Sequence, residues 1–311
     1  MATCGLLTVY DAEDAEVDLV FLHGLRGNLT ETWTKNSILW PKELLPKDVP
    51  KSRIFLFGYD TGITHWDQNE VQMTEIHSDA DNLCARLDAG RSKTNTKDRP
   101  IIFIAHSLGG LVAAQILVHG ERREETSIAG RITRSLRGLI FLGTPFRGSG
   151  SAKLAECIRR VMSFFRLTQQ DTLKLLGPDS ERLDELTMAF AETLNKRRFS
   201  PKPSDQISAF FFFETKATHG VQIVEPHSAQ LPGCGDPAPI DTNHLDICKY
   251  DTTRDHGYDL VLRAINKCLE PLPDAVGPAS VVKKIEMSGN AKVLNQAMNS
   301  ISITTQNIGQ F

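Results

Sequence analysis

Residues 100–117, PIIFIAHSLGGLVAAQIL, constrain the fold more than any other stretch of this chain. Ile101, Ile102, Phe103 and Ile104 form a β-branched and aromatic run, the composition of a strand buried on both faces. Leu111, Val112, Ala113, Ala114, Ile116 and Leu117 follow with helix-compatible composition. Between the two runs, Ala105-His106-Ser107-Leu108-Gly109-Gly110 leaves room for one sharp turn, and the serine sits in it. Ala105 and Gly109, two positions either side of Ser107, are small enough to let strand and helix backbones approach. The stretch therefore predicts strand, tight turn and helix, with a hydroxyl lifted out at the turn.

Other runs repeat that rhythm. The segment 17–22 reads as a buried strand ending in His23-Gly24-Leu25-Arg26-Gly27, and 53–59 reads as the next, turning at Asp60-Thr61-Gly62. Trp40-Pro41 begins a helix stopped by Pro46 and Pro50. Over 76–87, Ile76, Ala80, Leu83, Cys84 and Leu87 share one helical face, and 136–142 is a further strand that ends in GTPFRGS. Strand and helix alternating in this way predict an α/β fold with a mainly parallel, doubly wound sheet, whose turns collect at one edge. Residues 151–200 then show helical periodicity, through Leu154, Ile158, Val161, Met162 and Phe165 and again through Leu183, Leu186, Phe190 and Leu194. They read either as a helical cap inserted over the site or as helices flanking the sheet. The segment 207–213 returns as a strand ending in Glu214, 221–224 is expected as a short last strand, and 258–269 as the closing amphipathic helix.

A compact domain is thus expected over 1–270, a proline-rich linker over 271–279 and a tail over 280–311. The tail is rich in Asn, Gln, Ser and Thr, with one alternating run, Ser300-Ile301-Ser302-Ile303-Thr304. Such a segment buries too little apolar surface to fold alone, yet its alternation suits cross-β stacking, so it reads as disordered or amyloid-forming. A net charge of −3 and a pI near 6.3 give no footprint for a nucleic-acid backbone, and nucleic acid is not an expected partner. The runs 121–125 and 196–198 read as solvated charged faces. Six scattered cysteines lack metal-ligand spacing, so reduced thiols, a cytoplasmic location and neither metal nor cofactor are expected. No apolar stretch reaches the roughly 20 residues of a bilayer-spanning helix, so any membrane contact is expected at the surface, as an association on activation. The basic and apolar stretch 159–166 reads as core packing or as such a surface contact.

A serine on a strained turn becomes a nucleophile when a histidine takes its proton and a carboxylate orients that histidine. Where the serine follows a central strand, the chain order is serine, acid, histidine. His219, His227, His244 and His256 satisfy that order, and His244 is preferred because it lies in a loop between the last strand and the closing helix. Glu214, at a strand end, is the preferred acid, Glu225 is the alternative, and Asp236 and Asp241 stand behind them. The turn after residue 22 and the residue after the serine supply backbone N–H donors for an oxyanion, assigned to Leu25 and Leu108. This is machinery for acyl transfer.

The motifs VDLVFLHGLRG, IIFIAHSLGGLVAAQIL, GLIFLGTPFRGS, FFETKATHG and NHLDICKYD cover most of residues 17–269. Together they resemble the lipase-like serine esterases of the α/β-hydrolase fold found among fungal immune-type effectors. They are similar also to the serine-active-site-containing lipid-remodelling proteins and, more distantly, to the inositol deacylases acting on lipid anchors. Ala105 stands where the GxSxG pattern has its first glycine. The resemblance implies hydrolysis of a lipid or small ester. For the tail it implies a prion-like motif that recruits the enzyme to a nucleotide-binding receptor, or to itself, in self/non-self recognition. The contrasting expectation is a catalytically silent α/β-hydrolase fold used as an interaction or membrane-targeting module.

Overall fold

A computed structural model describes residues 4–25, 27–59, 73–146 and 178–270. The chain divides into a unit of Met1–Ser200 with Asp205–Glu270 and a second of Pro201–Ser204 with Pro271–Phe311. Every element named below belongs to the first. The predicted linker and tail, and the stretch 151–177 with its basic segment, lie outside the described residues.

In chain order the elements are β1 (Gly5–Asp11), β2 (Val17–Leu22), a small ribbon of β3 (Thr34–Lys35) and β4 (Ile38–Leu39), α1 (Trp40–Glu43), α2 (Leu45–Asp48) and β5 (Ser52–Gly58). There follow α3 (Met73–Lys93), β6 (Ile101–His106), α4 (Gly109–Glu121), α5 (Ile128–Ser135) and β7 (Leu136–Leu142). The last are α6 (Pro178–Arg198), β8 (Ser208–Glu214), β9 (Asp236–Ile240) and α7 (His256–Leu269). The seven-stranded sheet has the order β1-β5-β2-β6-β7-β8-β9. Strand β1 is antiparallel to β5, and the other pairs are parallel.

The strand composition explains why both faces are covered. Within the continuous apolar runs, alternate residues go to opposite cores: Val20, Leu22, Phe103, Ala105, Phe141 and Phe211 to one, Leu19, Phe21, Ile102, Ile104, Ile140 and Phe212 to the other. Helices α3, α4 and α6 supply Leu83, Leu117 and Phe190 to the first core. The second takes Trp40 of α1, Leu45 of α2 and Val261 and Ile265 of α7. From β2 the chain steps outward to β5, and from β5 it crosses back over β2 to β6. The winding direction reverses between β2 and β6, and a crevice opens there at the carboxyl ends of the strands. The turns carrying His23-Gly24-Leu25 and Ser107 lie at that crevice.

Two strands escape the sequence reading, and one expected strand is absent. The first residues carry a strand, β1, that their weak alternation hid. Residues 221–224 form no strand; Val221 makes an isolated bridge with Thr218 in a tight reversal. The last strand is β9, sequence DPAPI, whose two prolines argue against a strand except at an edge. That is where it lies, paired with β8 alone. Of the stretch 151–200, the described half is α6, and it flanks the sheet: Leu183, Leu186, Phe190 and Leu194 are buried, with Phe190 stacked on Phe146 at 5.3 Å. Burying a phenylalanine of this kind is worth about 2–3 kcal/mol.

At the opposite edge, where the parallel strands begin, Asp18 is buried among three arginines. Arg53 grips it with two bonds of 2.9 and 3.0 Å, Arg99 reaches it at 3.2 Å, and Arg91 also donates to it.

Candidate active site

Ser107 follows β6 in a backbone conformation that an L-residue adopts only under strain, φ +51°. Its N–H donates to the carbonyl of Leu142 at 2.9 Å, and its own carbonyl accepts from Gly110 N–H at 3.0 Å, so the turn is pinned on both sides. The glycines around it are required by contact. A Cβ on Gly109 would lie 2.4 Å from the carbonyl oxygen of His23, and one on Gly24 would lie 2.6 Å from the Cβ of Ser107. Helix α4 and the turn after β2 can therefore close on the serine only because these positions carry no side chain.

Ser107 Oγ lies 3.0 Å from His244 Nε2, and His244 Nδ1 lies 3.1 Å from Glu214 Oε1. With Nδ1–H donating to the carboxylate, Nε2 is left to accept the serine proton. All three side chains are buried. The three come from different strand ends: Ser107 follows β6, Glu214 closes β8, and His244 follows β9. Glu225 takes no part in this line. It lies in the turn before Ser228, with its carboxylate partly exposed and 3.3 Å from His227. His227 and His219 are exposed, and His256 opens α7 behind the cap Asp255.

The turn from 23 to 25 is held by His23, which the sequence reads as a structural hydrogen-bonder rather than a catalyst, and by Tyr59, which the sequence reading did not single out. His23 Nδ1–H donates to the carbonyl of Gly24 at 2.9 Å, while its Nε2 accepts from the N–H of Tyr59 at 3.4 Å. The Tyr59 ring stacks on it at 4.5 Å, and the Tyr59 hydroxyl donates to the carbonyl of His23. Burial lowers the pKa of His23 to about 4, so the ring is neutral, as these two bonds require. The carbonyls of His23 and Gly24 are thereby engaged. The N–H groups of Leu25 and Leu108 have no hydrogen-bond partner among the described residues.

His244 is also held by its backbone. Its N–H donates to Thr218 Oγ1 at 3.1 Å, and its carbonyl accepts from His106 Nε2 at 2.9 Å. His106, kept neutral by burial at a pKa of about 3, thus points away from the serine and into the histidine loop. The reversal at Thr218–Val221 leads to Val224, whose N–H donates to Glu214 Oε1 at 2.9 Å, and Gln222 Nε2 donates to the carbonyl of Glu214 at 3.1 Å. One loop, 215–224, therefore bonds both the carboxylate of Glu214 and the backbone of His244. The only sequence signal for it was the motif FFETKATHG. Gly143, at φ +60°, lies alongside; a Cβ there would sit 3.0 Å from His244 Nδ1 and 3.1 Å from Glu214 Oε2.

A strained serine at the winding reversal, followed in chain order by a carboxylate and a histidine on successive strands, joins the sheet order to the residues. The chain has the α/β-hydrolase fold. No protein-family model matches it. Its curated relatives include the protein SERAC1 of Mus musculus, 29% identical over 281 residues, and of Homo sapiens, 28% identical over 281 residues. Each alignment covers 83% of this chain and 40% of the relative, so the chain spans about two fifths of the length of these relatives. Among solved structures, a carboxyl esterase of Bacillus coagulans in complex with glycerol is similar at 13% identity and a TM-score of 0.47, over 84% of this chain and 93% of that one. An esterase of Pyrococcus furiosus is similar at 16% identity and a TM-score of 0.46, over 82% of each chain.

Proposed function

We propose that this α/β-hydrolase is a serine esterase that cleaves carboxylic esters through an acyl-enzyme. The observation that carries the proposal is the unbroken line from Ser107 Oγ through His244 to Glu214, at 3.0 and 3.1 Å, built on a serine at φ +51°. Ser107 Oγ attacks the ester carbonyl carbon while His244 Nε2 takes its proton, and Glu214 stabilises the imidazolium. The tetrahedral oxyanion is met by the N–H groups of Leu25 and Leu108, each such donor being worth about 3 kcal/mol in the transition state. Collapse expels the alcohol, which leaves with the proton from His244. Water then attacks the acyl-serine with His244 again as base, releasing the carboxylic acid and restoring Ser107.

The five motifs that resemble lipase-like serine esterases extend the proposal to lipid esters. They extend it also to a cytoplasmic effector in fungal self/non-self recognition, recruited to a nucleotide-binding receptor or to itself through 280–311. That recruitment rests on the resemblance of the tail, with its alternating run 300–304, to prion-like motifs. No described helix is long and apolar enough to cross a membrane, and the proposed contact with lipid is at a surface.

A fluorophosphonate probe tests the chemistry. It is expected to label the chain once, at Ser107, and p-nitrophenyl ester hydrolysis is expected to vanish in Ser107→Ala. Equal rates for the parent and Ser107→Ala overturn the enzymatic reading in favour of a silent interaction module.

A further inference from the structure

At the far end of α4 from the serine, helices α3, α4 and α6 border an open groove of about 600 Å³, within the size range of small-molecule sites. Its rim carries Arg122 and Arg123 at the end of α4 and Arg182 on α6, with His77 and His119 beside them; Glu185 is the acidic member. Val118, Leu186 and Ala189 supply apolar lining. On a chain of net charge −3, three guanidiniums against one carboxylate form a local excess of positive charge. It also outweighs the roughly half negative charge that the end of a helix such as α4 presents.

Two details give this groove the character of a site rather than a solvated face. Gln115 lines it, and its side-chain amide is open to the groove and has no hydrogen-bond partner among the described residues. A ligand can bond to that amide without displacing a protein partner. Second, Arg123 Nε donates to His119 Nε2 at 2.9 Å, so His119 presents Nδ1–H toward Asp81 Oδ1 at 3.6 Å. This fixes the stem of Arg123 and leaves its terminal nitrogens without a described partner. Arg122 has neither an ion pair nor a side-chain hydrogen bond among the described residues. Two neighbouring guanidiniums matched to planar or tetrahedral oxyanions, an amide open to the groove and an apolar wall fit one ligand chemistry.

We infer that this groove binds an oxyanion-headed amphiphile, a carboxylate or phosphate carrying an apolar chain, with the head at Arg122 and Arg123 and the chain along Val118, Leu186 and Ala189. The site is separate from the serine, the two ends of α4 being about 20 Å apart at 1.5 Å per residue. The inference stands whether or not Ser107 is catalytic. It also revises the expectation that 121–125 is only a solvated run.

Calorimetric titration of the full chain with octyl phosphate, sodium octanoate, inorganic phosphate and uncharged octyl glucoside tests it. Octyl phosphate or octanoate is expected to saturate one site and to weaken as salt is raised, with octyl glucoside silent. R122Q/R123Q is expected to bind about tenfold or more weakly while ester hydrolysis is unchanged, since a lost charge-assisted bond has at least that effect. Gln115→Leu, which keeps every charge, is expected to weaken binding by a smaller factor. Equal affinity in R122Q/R123Q and the parent overturns the site, as does failure of both amphiphiles to saturate. Inorganic phosphate binding as tightly as octyl phosphate overturns the amphiphile and leaves a free phosphate as the ligand. Because the readout is binding in variants that leave Ser107 intact, its failure is distinguishable from failure of the esterase assignment.

Discussion

Asp18 and Glu214 are both fully buried carboxylates of the central sheet, one near the start of β2 and the other at the end of β8. Asp18 has three guanidiniums on its two oxygens. Arg53 and Arg91 donate further to Thr94, Thr96, Ser135 and the carbonyls of Lys97 and Arg99. Both carboxylate oxygens are engaged, and the network fastens the loop before β6 under the sheet. Glu214 has one imidazole and one backbone N–H, both on Oε1, and Oε2 has no hydrogen-bond partner among the described residues. Its charge is fully answered only when His244 becomes an imidazolium. A buried carboxylate with its charge answered holds a fold together, whereas one awaiting a cation is set to stabilise a cation that forms during reaction.

Exchanging the two carboxylates for their amides is the strongest way to break that comparison. Glu214→Gln is expected to lower kcat for ester hydrolysis by about 10⁴-fold, as loss of the orienting carboxylate does in other serine hydrolases, with the urea midpoint little changed. Asp18→Asn is expected to do the reverse, lowering stability by about 3–5 kcal/mol because three buried cations lose their anion, with kcat of the folded fraction unchanged. If Glu214→Gln unfolds the protein and keeps its activity, the comparison fails.

Acid sharpens the contrast. The site end of the sheet holds His23 and His106, lowered by burial to about 4 and about 3, whereas histidine in the unfolded chain titrates near 6.5. As pH falls below 6.5 the unfolded state takes up protons that the folded state refuses. Their contribution is complete above pH 6.5 and is lost as pH falls toward 3–4. Urea denaturation between pH 7 and 4 is expected to show a falling midpoint, worth about 3 kcal/mol per histidine at the acid end. His106→Gln, which keeps a donor for the carbonyl of His244, is expected to flatten that slope.

The smallest expected effect concerns the loop shared by Glu214 and His244. Thr218→Val removes the acceptor for the His244 N–H, and kcat is expected to fall about tenfold with KM unchanged, the size of one lost hydrogen bond to a buried donor. Thr218→Ser restores the oxygen and should restore kcat. An unrestored rate in Thr218→Ser assigns the threonine to packing.

Much of this architecture is written in local sequence. The apolar runs at 17–22, 101–106 and 136–142 are strands because their uniform hydrophobicity suits burial on both faces, and the small residues around Ser107 announce a tight turn. Chain order and the place of His119 on the helix after the serine narrowed the histidines to four, and the loop before the closing helix pointed to His244. The acid was not separable in this way, since Glu214 and Glu225 both end apolar runs and look alike along the chain. Strand β9 decided between them. It lies beside β8 despite its prolines, and it brings the His244 loop over Glu214 while Glu225 turns outward toward His227.

By itself, the sequence determined the central strands β2, β5, β6, β7 and β8, the helices packed on them and which residue is the strained serine, because these follow from neighbours within a few positions. Only the tertiary structure decided which carboxylate faces the histidine, that Thr218 and His106 hold it, and that His77, Gln115, Arg122, Arg123 and Arg182 share one groove. Those relations join residues tens to more than a hundred positions apart, and their proximity is set by the order of strands in the sheet and the packing of helices on it.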